Sequence, residues 1–322
     1  MKKIFIDGSA GTTGLRIYER LQNRLDVEIL SLPEEKRKDV LARKEMLNSA
    51  DVAFLCLPDD AARESVSLVE NPDVTVIDAS TAHRTLPDWA YGFPELSKAH
   101  EEKILSSKRI AVPGCHASGF ISLVYPLIEA GYLAKETLLT CHSITGYSGG
   151  GKNMIKQYEA ADRKEELGAP YQYANRQQHK HLKEMTAICG LENQPMFCPI
   201  VSDFYSGMLV TVPLFQKQLK KGNAEDIKKL YAEKYNGNIV KYQDVLAYEE
   251  RVGKENLTPG FMSSVKNGNT DTMQIFVDGN DERILLMSAY DNLGKGASGA
   301  AIECMNMVIG AKKEEGLLLK RE

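Results

Sequence analysis

Three groups of residues along this chain have the types and spacing to do chemistry. The first is Ala111-Val-Pro-Gly-Cys115-His-Ala-Ser-Gly119, which reads as a strand end, a sharp turn and the start of a helix. A thiol at a helix N-terminus meets exposed backbone N–H groups and the positive end of the helix dipole, and both favour the nucleophilic thiolate. Cys115 is therefore the candidate nucleophile, suited to covalent capture of a carbonyl. The second group is His179-Lys-His181-Leu-Lys-Glu184, two imidazoles and a carboxylate that could serve as general acid and base. On a continuous helix His181 and Glu184 share a face and His179 points elsewhere, so spacing alone pairs His181 with Glu184 unless His179 precedes the helix. A metal centre would need a third ligand that this pattern does not offer, and none is expected.

The third group is Gly8-Ser9-Ala-Gly11-Thr12-Thr13-Gly14, placed after the first apolar run and opening the first helical one. Backbone without Cβ atoms lets N–H groups approach a pyrophosphate, which the helix N-terminus then favours. The second run ends at Ser31, where NAD-specific folds place a carboxylate; here Lys36, Arg37 and Lys38 follow instead. NADP(H) is thus the expected cofactor, with Ser31 and Arg37 toward the 2′-phosphate and Pro58, after the third run, beside the dinucleotide. A thiolate near a nicotinamide implies carbonyl capture followed by hydride transfer.

The elements that must position these groups follow from hydrophobic periodicity. Short apolar runs at 2–7, 27–32, 52–57, 74–78 and 110–112 alternate with helical stretches such as 60–70, the pattern of a parallel sheet covered on both faces. Such sheets bind ligands at the carboxyl ends of their strands. Beyond Pro126 the runs lengthen and alternate, at 138–144, 208–215, 273–278 and 283–290, with a charged helical pattern at 152–167. That texture suits a mixed or antiparallel sheet. A helical run at 300–311 could return to the first domain, and 312–322 reads as a loosely held tail. The fold class expected is α/β: a Rossmann-like parallel-sheet dinucleotide-binding domain over 1–114, completed by a C-terminal helix at about 295–322, plus an α+β catalytic and oligomerisation domain of mixed sheet over 115–294.

Composition narrows the partners. The length of 322 residues fits two domains, and 40 Lys and Arg against 44 Asp and Glu leave a net charge of −4, which gives no basic field for nucleic acid or anionic membrane. Asp7 and Gly8 interrupt any signal-peptide core, and Pro126 and Glu129 break the most apolar stretch, so a cytoplasmic protein is expected. Six cysteines without a C-x-x-C pair should be reduced thiols.

Seven segments in order carry a resemblance: Asp7-Gly-Ser-Ala-Gly-Thr-Thr-Gly14, Asp78-Ala-Ser-Thr-Ala-His-Arg84, Tyr91-Gly-Phe-Pro-Glu-Leu96, Val112-Pro-Gly-Cys115, Ser143-Ile-Thr-Gly-Tyr-Ser-Gly149, the histidine motif, and Asp291-Asn-Leu-Gly-Lys-Gly-Ala297. Together they resemble the N-acetyl-gamma-glutamyl-phosphate reductase family, in its shorter subclass. The resemblance implies NADPH-dependent reductive dephosphorylation of N-acetyl-L-glutamyl 5-phosphate to the 5-semialdehyde, in arginine biosynthesis, through a thioester on Cys115. It implies His179 as acid and base, against the helix-register reading, with His181 and Glu184 as the alternative. Longer members resemble His-Arg-His-x-Pro-Glu, where this chain has Lys180 and Lys183. Ser80, Arg84, Ser143, Gly146, Ser148 and Gly149 would face the substrate, and Asn292 and Gly296 the nicotinamide. The partners implied are a small acyl phosphate, inorganic phosphate and further copies of the chain, as a homodimer or homotetramer. Aspartate-semialdehyde dehydrogenase, which reduces a shorter acyl phosphate, is the nearest rival. A Cys-His hydrolase and an NADP-binding redox sensor are the others.

Overall fold

The apolar runs of the first third become short, largely buried strands because helices cover both faces of their sheet. The computed structural model describes residues 1–252 and 260–320. In chain order β1 (Lys2–Asp7), α1 (Thr12–Leu21), β2 (Val27–Leu30), α2 (Val40–Ser49), β3 (Val52–Leu55), α3 (Asp59–Ser67), β4 (Thr75–Asp78), β5 (Ala90–Tyr91), α4 (Lys98–Ser106) and β6 (Arg109–Ala111) build a sheet of order β2-β1-β3-β4-β6-β5. Every pairing in it is parallel. Alternate residues fill two cores: Ile4, Ile6 and Phe54 pack with Ile17 and Leu21 of α1, whereas Phe5, Ala53 and Leu55 pack with Leu47 and Ala62. β5 is too short to carry a periodicity, and nothing in the sequence marked it.

The next element, α5 (Cys115–Glu129), is almost wholly buried despite an internal proline. Pro126 has no N–H to bond the carbonyl four residues back, and that carbonyl, of Ser122, instead accepts from the Tyr235 hydroxyl at 2.7 Å. Tyr231 donates likewise to the carbonyl of Leu123. Both tyrosines lie in or just beyond the helix Ala224–Lys234, so the proline leaves the Ser122 carbonyl satisfied.

After α5 come β7 (Thr140–Gly146), α6 (Gly151–Glu159), β8 (Tyr171–Gln172), α7 (His181–Cys189), β9 (Met196–Ser202), β10 (Met208–Phe215), α8 (Ala224–Lys234), β11 (Val240–Tyr242), α9 (Val245–Val252), β12 (Met273–Gly279) and β13 (Arg283–Tyr290). Their sheet runs β11-β12-β13-β10-β7-β9-β8, parallel between β7 and β9 and between β11 and β12, antiparallel elsewhere. The chain ends in α10 (Gly299–Ile309), whose Ala301 and Met305 join the core of Ile4 and Phe54.

The chain thus divides into one unit of Met1–Gly114 with Ala297–Leu317, and another of Cys115–Gly296 with the residues from Leu318 onward. The first is a Rossmann-like parallel-sheet domain and the second an α+β domain with a mixed sheet. Two expectations need correction. The helix expected over 152–167 stops at Glu159, because Tyr158 is its only buried residue and Arg163 turns back to bond the Tyr158 carbonyl at 3.1 Å. The C-terminal tail is not loose: Asp271 and Leu318 exchange bonds of 2.7 and 2.8 Å, and Lys320 N–H donates to Thr272. These bonds, and that of Lys320 Nζ to Asn267 at 2.7 Å, join residues far apart in the chain and leave no local pattern in the sequence. Among the described residues no helix is long and apolar enough to cross a membrane.

Candidate active site

Cys115 is the first residue of α5, half-buried, at a helix start with no acidic residue in its first turn. The sequence folds this way because Pro113 and Gly114 end the strand course and the small residues after Cys115 admit close packing. The closest packing is against Tyr290, whose hydroxyl donates to the Cys115 carbonyl and accepts from Gly119 N–H at 3.0 Å. One hydroxyl therefore sits at both ends of the first helical hydrogen bond. A Cβ on Gly119 would lie 2.6 Å from that hydroxyl and 2.5 Å from Val210, so only glycine fits. Burial, reinforced by Cys115, holds the Tyr290 phenol well above its ordinary pKa, and it remains a neutral donor. Gly296 closes the other side, where a Cβ would come within 3.1 Å of Cys115 Cβ. All six cysteines are thiols, and among the described residues no cluster could hold a metal.

Three histidines gather in the same unit. His179 precedes α7 rather than lying on it, so the register argument for His181 with Glu184 does not apply to its direction. His179 Nδ1 accepts from the His181 backbone N–H at 3.2 Å, which leaves the proton of the neutral ring on Nε2. Its ring centre lies 4.7 Å from that of His181, 5.7 Å from His116 and 5.1 Å from Phe197. His181 and Glu184 are both buried on α7. Sequence reasoning passed over His116, although it adjoins Cys115. Its Nδ1 meets Ser143 Oγ at 2.7 Å and its Nε2 meets the Tyr173 hydroxyl at 2.6 Å. Burial, and then the neighbouring His179, pull His116 down to about 3. Burial, and then Lys180, bring His179 to about 4. Burial first and Cys115 second raise the Tyr173 phenol.

The loops expected to face a substrate separate into two kinds. Ser143 belongs to the His116 network, and Ser148 accepts from Asn292 Nδ2 at 3.0 Å, with Gly149 alongside. Gly146 is needed for packing, since a Cβ there would lie 2.5 Å from the Tyr205 carbonyl. Asp291, which was not singled out, orders the loop leading to Gly296: its carboxylate accepts from Ser206 at 2.7 Å, Leu293 N–H at 2.7 Å and Gly294 N–H at 3.0 Å. Asn292 in turn accepts from Gly207 N–H at 3.0 Å.

In the first unit Gly8 has φ +87° and a Cβ there would lie 2.4 Å from the Cys56 carbonyl, while one on Gly14 would lie 2.5 Å from the Gly8 carbonyl. Gly11 caps α1 with no side-chain bond, and the first turn, with Thr12 and Thr13, carries no acidic residue. The open cradle from Gly8 and Ser9 to Gly14 fits a dinucleotide pyrophosphate. Asp7 just before it is held by Arg43 at 3.0 Å and Ser65 at 2.8 Å. Ser31 lies exposed one residue beyond β2, Arg37 is exposed after a short turn, and Pro58 opens α3. Ser80 is occupied by Asp78 at 2.6 Å, and Arg84 bonds the carbonyls of Val112 at 2.8 Å and Ala79 at 3.0 Å. Arg84 thereby braces the strand exit that leads to Pro113.

This combination defines the class of semialdehyde dehydrogenases. Residues 3–104 match the family described as semialdehyde dehydrogenase, NAD binding domain, and residues 115–292 match semialdehyde dehydrogenase, dimerisation domain. Aspartate semialdehyde dehydrogenase II of Vibrio cholerae, solved in complex with ASA, shares the fold with a TM-score of 0.71 at 14% identity, over 96% of this chain and 98% of that one. The Candida albicans aspartate semialdehyde dehydrogenase solved with NADP has a TM-score of 0.61 at 15% identity, over 97% and 99%. In sequence the chain is 44% identical to N-acetyl-gamma-glutamyl-phosphate reductase 2 of a Nostoc species, over 98% of this chain and 99% of the relative. It is equally 44% identical to the Chelativorans N-acetyl-gamma-glutamyl-phosphate reductase, over 95% and 98%. The chain belongs to the N-acetyl-gamma-glutamyl-phosphate reductase family.

The depressed histidines make stability depend on pH. Below about pH 6.5 the unfolded chain binds protons at His116 and His179 that the folded chain refuses until about 3 and about 4. Their contribution is therefore fully present above 6.5 and is lost as the pH falls toward those values. Urea denaturation between pH 6.5 and 4 should show stability falling, with His116 contributing about 1.4 kcal/mol per pH unit and half-exposed His179 less. In His116→Gln the slope should be shallower by the His116 share. An unchanged slope would contradict the assignment.

Proposed function

We propose that this chain reduces N-acetyl-L-glutamyl 5-phosphate to N-acetyl-L-glutamate 5-semialdehyde, with NADPH as reductant and inorganic phosphate as the second product. The observation that carries the reading is Cys115 at the start of α5, in a chain 44% identical to reductases of that name across nearly its whole length. The thiolate attacks the acyl carbon, the C–O bond to phosphate breaks, and phosphate leaves with the electron pair and takes up a proton from solvent. The product of that step is a thioester on Cys115. Bound NADPH supplies the hydride that reduces the thioester carbon. Collapse of the resulting hemithioacetal returns the electron pair to sulfur and releases the aldehyde.

The residues of each unit would have distinct parts in this chemistry. Neutral His179, protonated on Nε2, donates to the oxygen that gains charge as the carbonyl becomes tetrahedral. To act as a base it must first give up the His181 N–H bond at Nδ1. Gly8, Gly11 and Gly14 would hold the dinucleotide pyrophosphate, and Ser31 and Arg37 the 2′-phosphate. Ser143, Ser148 and Asn292 offer the polar atoms for the substrate's carbonyl and acetamido groups. Six thiols and a reduced nicotinamide cofactor suit the cytoplasm.

A second copy completes the molecule. Buried Val210, Val212 and Leu214 alternate along β10 with Leu209, Pro213 and Phe215, and Phe215 is 63% exposed. The register puts Ile200 and Leu285 on that same face with Thr211, His142 and Arg283, while Leu209 packs against the cluster of Tyr248 and Met287; Ile200, Pro213, Leu285 and Phe215 form the apolar part suited to an identical partner. Ile200→Glu should convert the homodimer to a monomer in light scattering. An unchanged mass would place the interface elsewhere.

Incubation with N-acetylglutamate 5-semialdehyde, NADP and phosphate should produce NADPH in a phosphate-dependent manner, far faster than with aspartate semialdehyde. Cys115→Ser should lose activity by about a thousandfold or more while still binding NADP. Preference for aspartate semialdehyde would overturn the substrate, and full activity of Cys115→Ser would overturn the thioester.

A further inference from the structure

The segment that carries His179 leaves the sheet by an unusual route. β8 pairs antiparallel with β9 through Tyr171 and Gln172, and Tyr173 N–H continues the ladder to the Pro199 carbonyl at 3.0 Å. The chain then turns away through two residues with left-handed backbone, Ala174 at φ 53° and Gln177 at φ 56°. Neither is glycine, and such conformations persist in other residues only where surrounding bonds hold them. The ladder position vacated by the backbone is at Phe197, and the Gln177 side chain fills it. Gln177 Nε2 donates to the Phe197 carbonyl at 2.8 Å, and Gln177 Oε1 accepts from the Phe197 N–H at 2.8 Å. One amide thus replaces both backbone groups of a missing strand residue.

Two residues further on is His179. The Phe197 ring lies edge-on to His179, with centres 5.1 Å apart, and to His116 at 5.3 Å. The residue that Gln177 grips by its backbone is therefore the one whose ring walls the imidazole cluster. We propose that Gln177 is a positioning residue for His179: its amide clamps the turn to Phe197, and so fixes the half-buried imidazole in place against the Phe197 ring.

The inference rests on His179 serving the proposed reaction. Gln177→Gly removes the amide while accepting the positive φ, so backbone strain is not added, and Gln177→Glu keeps the length and one of the two bonds. Gln177 is exposed, so folding of either variant is not at stake; thermal melting checks this. In Gln177→Gly, kcat should fall about tenfold or more with KM for the semialdehyde within about twofold. The histidine C–H resonance of His179, identified from His179→Asn, should titrate above its wild-type position as the ring gains access to water. Gln177→Glu should fall between wild type and Gln177→Gly in both measures. Unchanged kcat, or an unmoved His179 titration, would overturn the inference. Failure of the functional reading would look different, as a wild-type chain that forms no NADPH from N-acetylglutamate 5-semialdehyde, whereas failure of this inference leaves wild type and Gln177→Gly equally active.

Discussion

The Tyr290 hydroxyl, held between the Cys115 carbonyl and the Gly119 N–H, is the contact on which the second unit's chemistry depends. It ties the last residue of β13 to the first turn of α5, and so fixes the start of that helix against the sheet. A helix N-terminus is otherwise its most frayed part, with N–H groups that no internal partner satisfies. Here the first turn is pinned, with the Gly119 N–H taken up by the same hydroxyl. The glycines follow from the same constraint: Gly119 because a Cβ would strike the hydroxyl, Gly296 because its backbone comes up against Cys115. Asp291 and Asn292, the next residues after Tyr290, tie the same strand end to Ser206, Gly207 and Ser148.

Around that fixed point the electrostatics are governed by burial more than by charge pairing. His116 and His179 sit in a largely apolar, aromatic setting with Phe197 and Tyr173, where an imidazolium is costly. Each is therefore neutral at physiological pH, and His179, whose Nδ1 accepts from the His181 N–H, offers a proton at Nε2 rather than a charge. A neutral N–H donor placed in advance stabilises developing negative charge without reorganisation during the reaction. In the first unit the glycine turn is set by close backbone approach, with Gly8 against the Cys56 carbonyl and Gly14 against the Gly8 carbonyl, ahead of a helix start without a side-chain cap.

Much of the fold was legible in the sequence because it rests on periodicity. Met208–Phe215 and Arg283–Tyr290 have the bounds expected, and the buried parallel strands of the first unit differ only at their ends, where residues such as Ser31 and Cys56 leave the sheet. What could not be read is made of contacts without a pattern. β5 and β8 are two residues each, and the tail from Leu318 is held by bonds to Asn267, Asp271 and Thr272, far away in the chain. The placement of Cys115 at a helix start was legible from the turn before it and the helical run after it. His116 was not, since its significance comes from Ser143, Tyr173, His179 and Phe197, which meet only in the folded chain. The contest between His179 and His181 could not be decided by spacing, because left-handed turns at Ala174 and Gln177 carry no glycine to announce them.

The central claim is that carbon is held covalently on Cys115 between phosphate loss and aldehyde release. The most direct measurement omits phosphate and supplies N-acetylglutamate 5-semialdehyde with NADP, followed by rapid acid quench and peptide mass analysis. A burst of about one NADPH per chain is expected, with an acyl group on the peptide containing Cys115 that is removed when phosphate is added before the quench. Steady NADPH formation without phosphate, with no acyl group on that peptide, would contradict that claim.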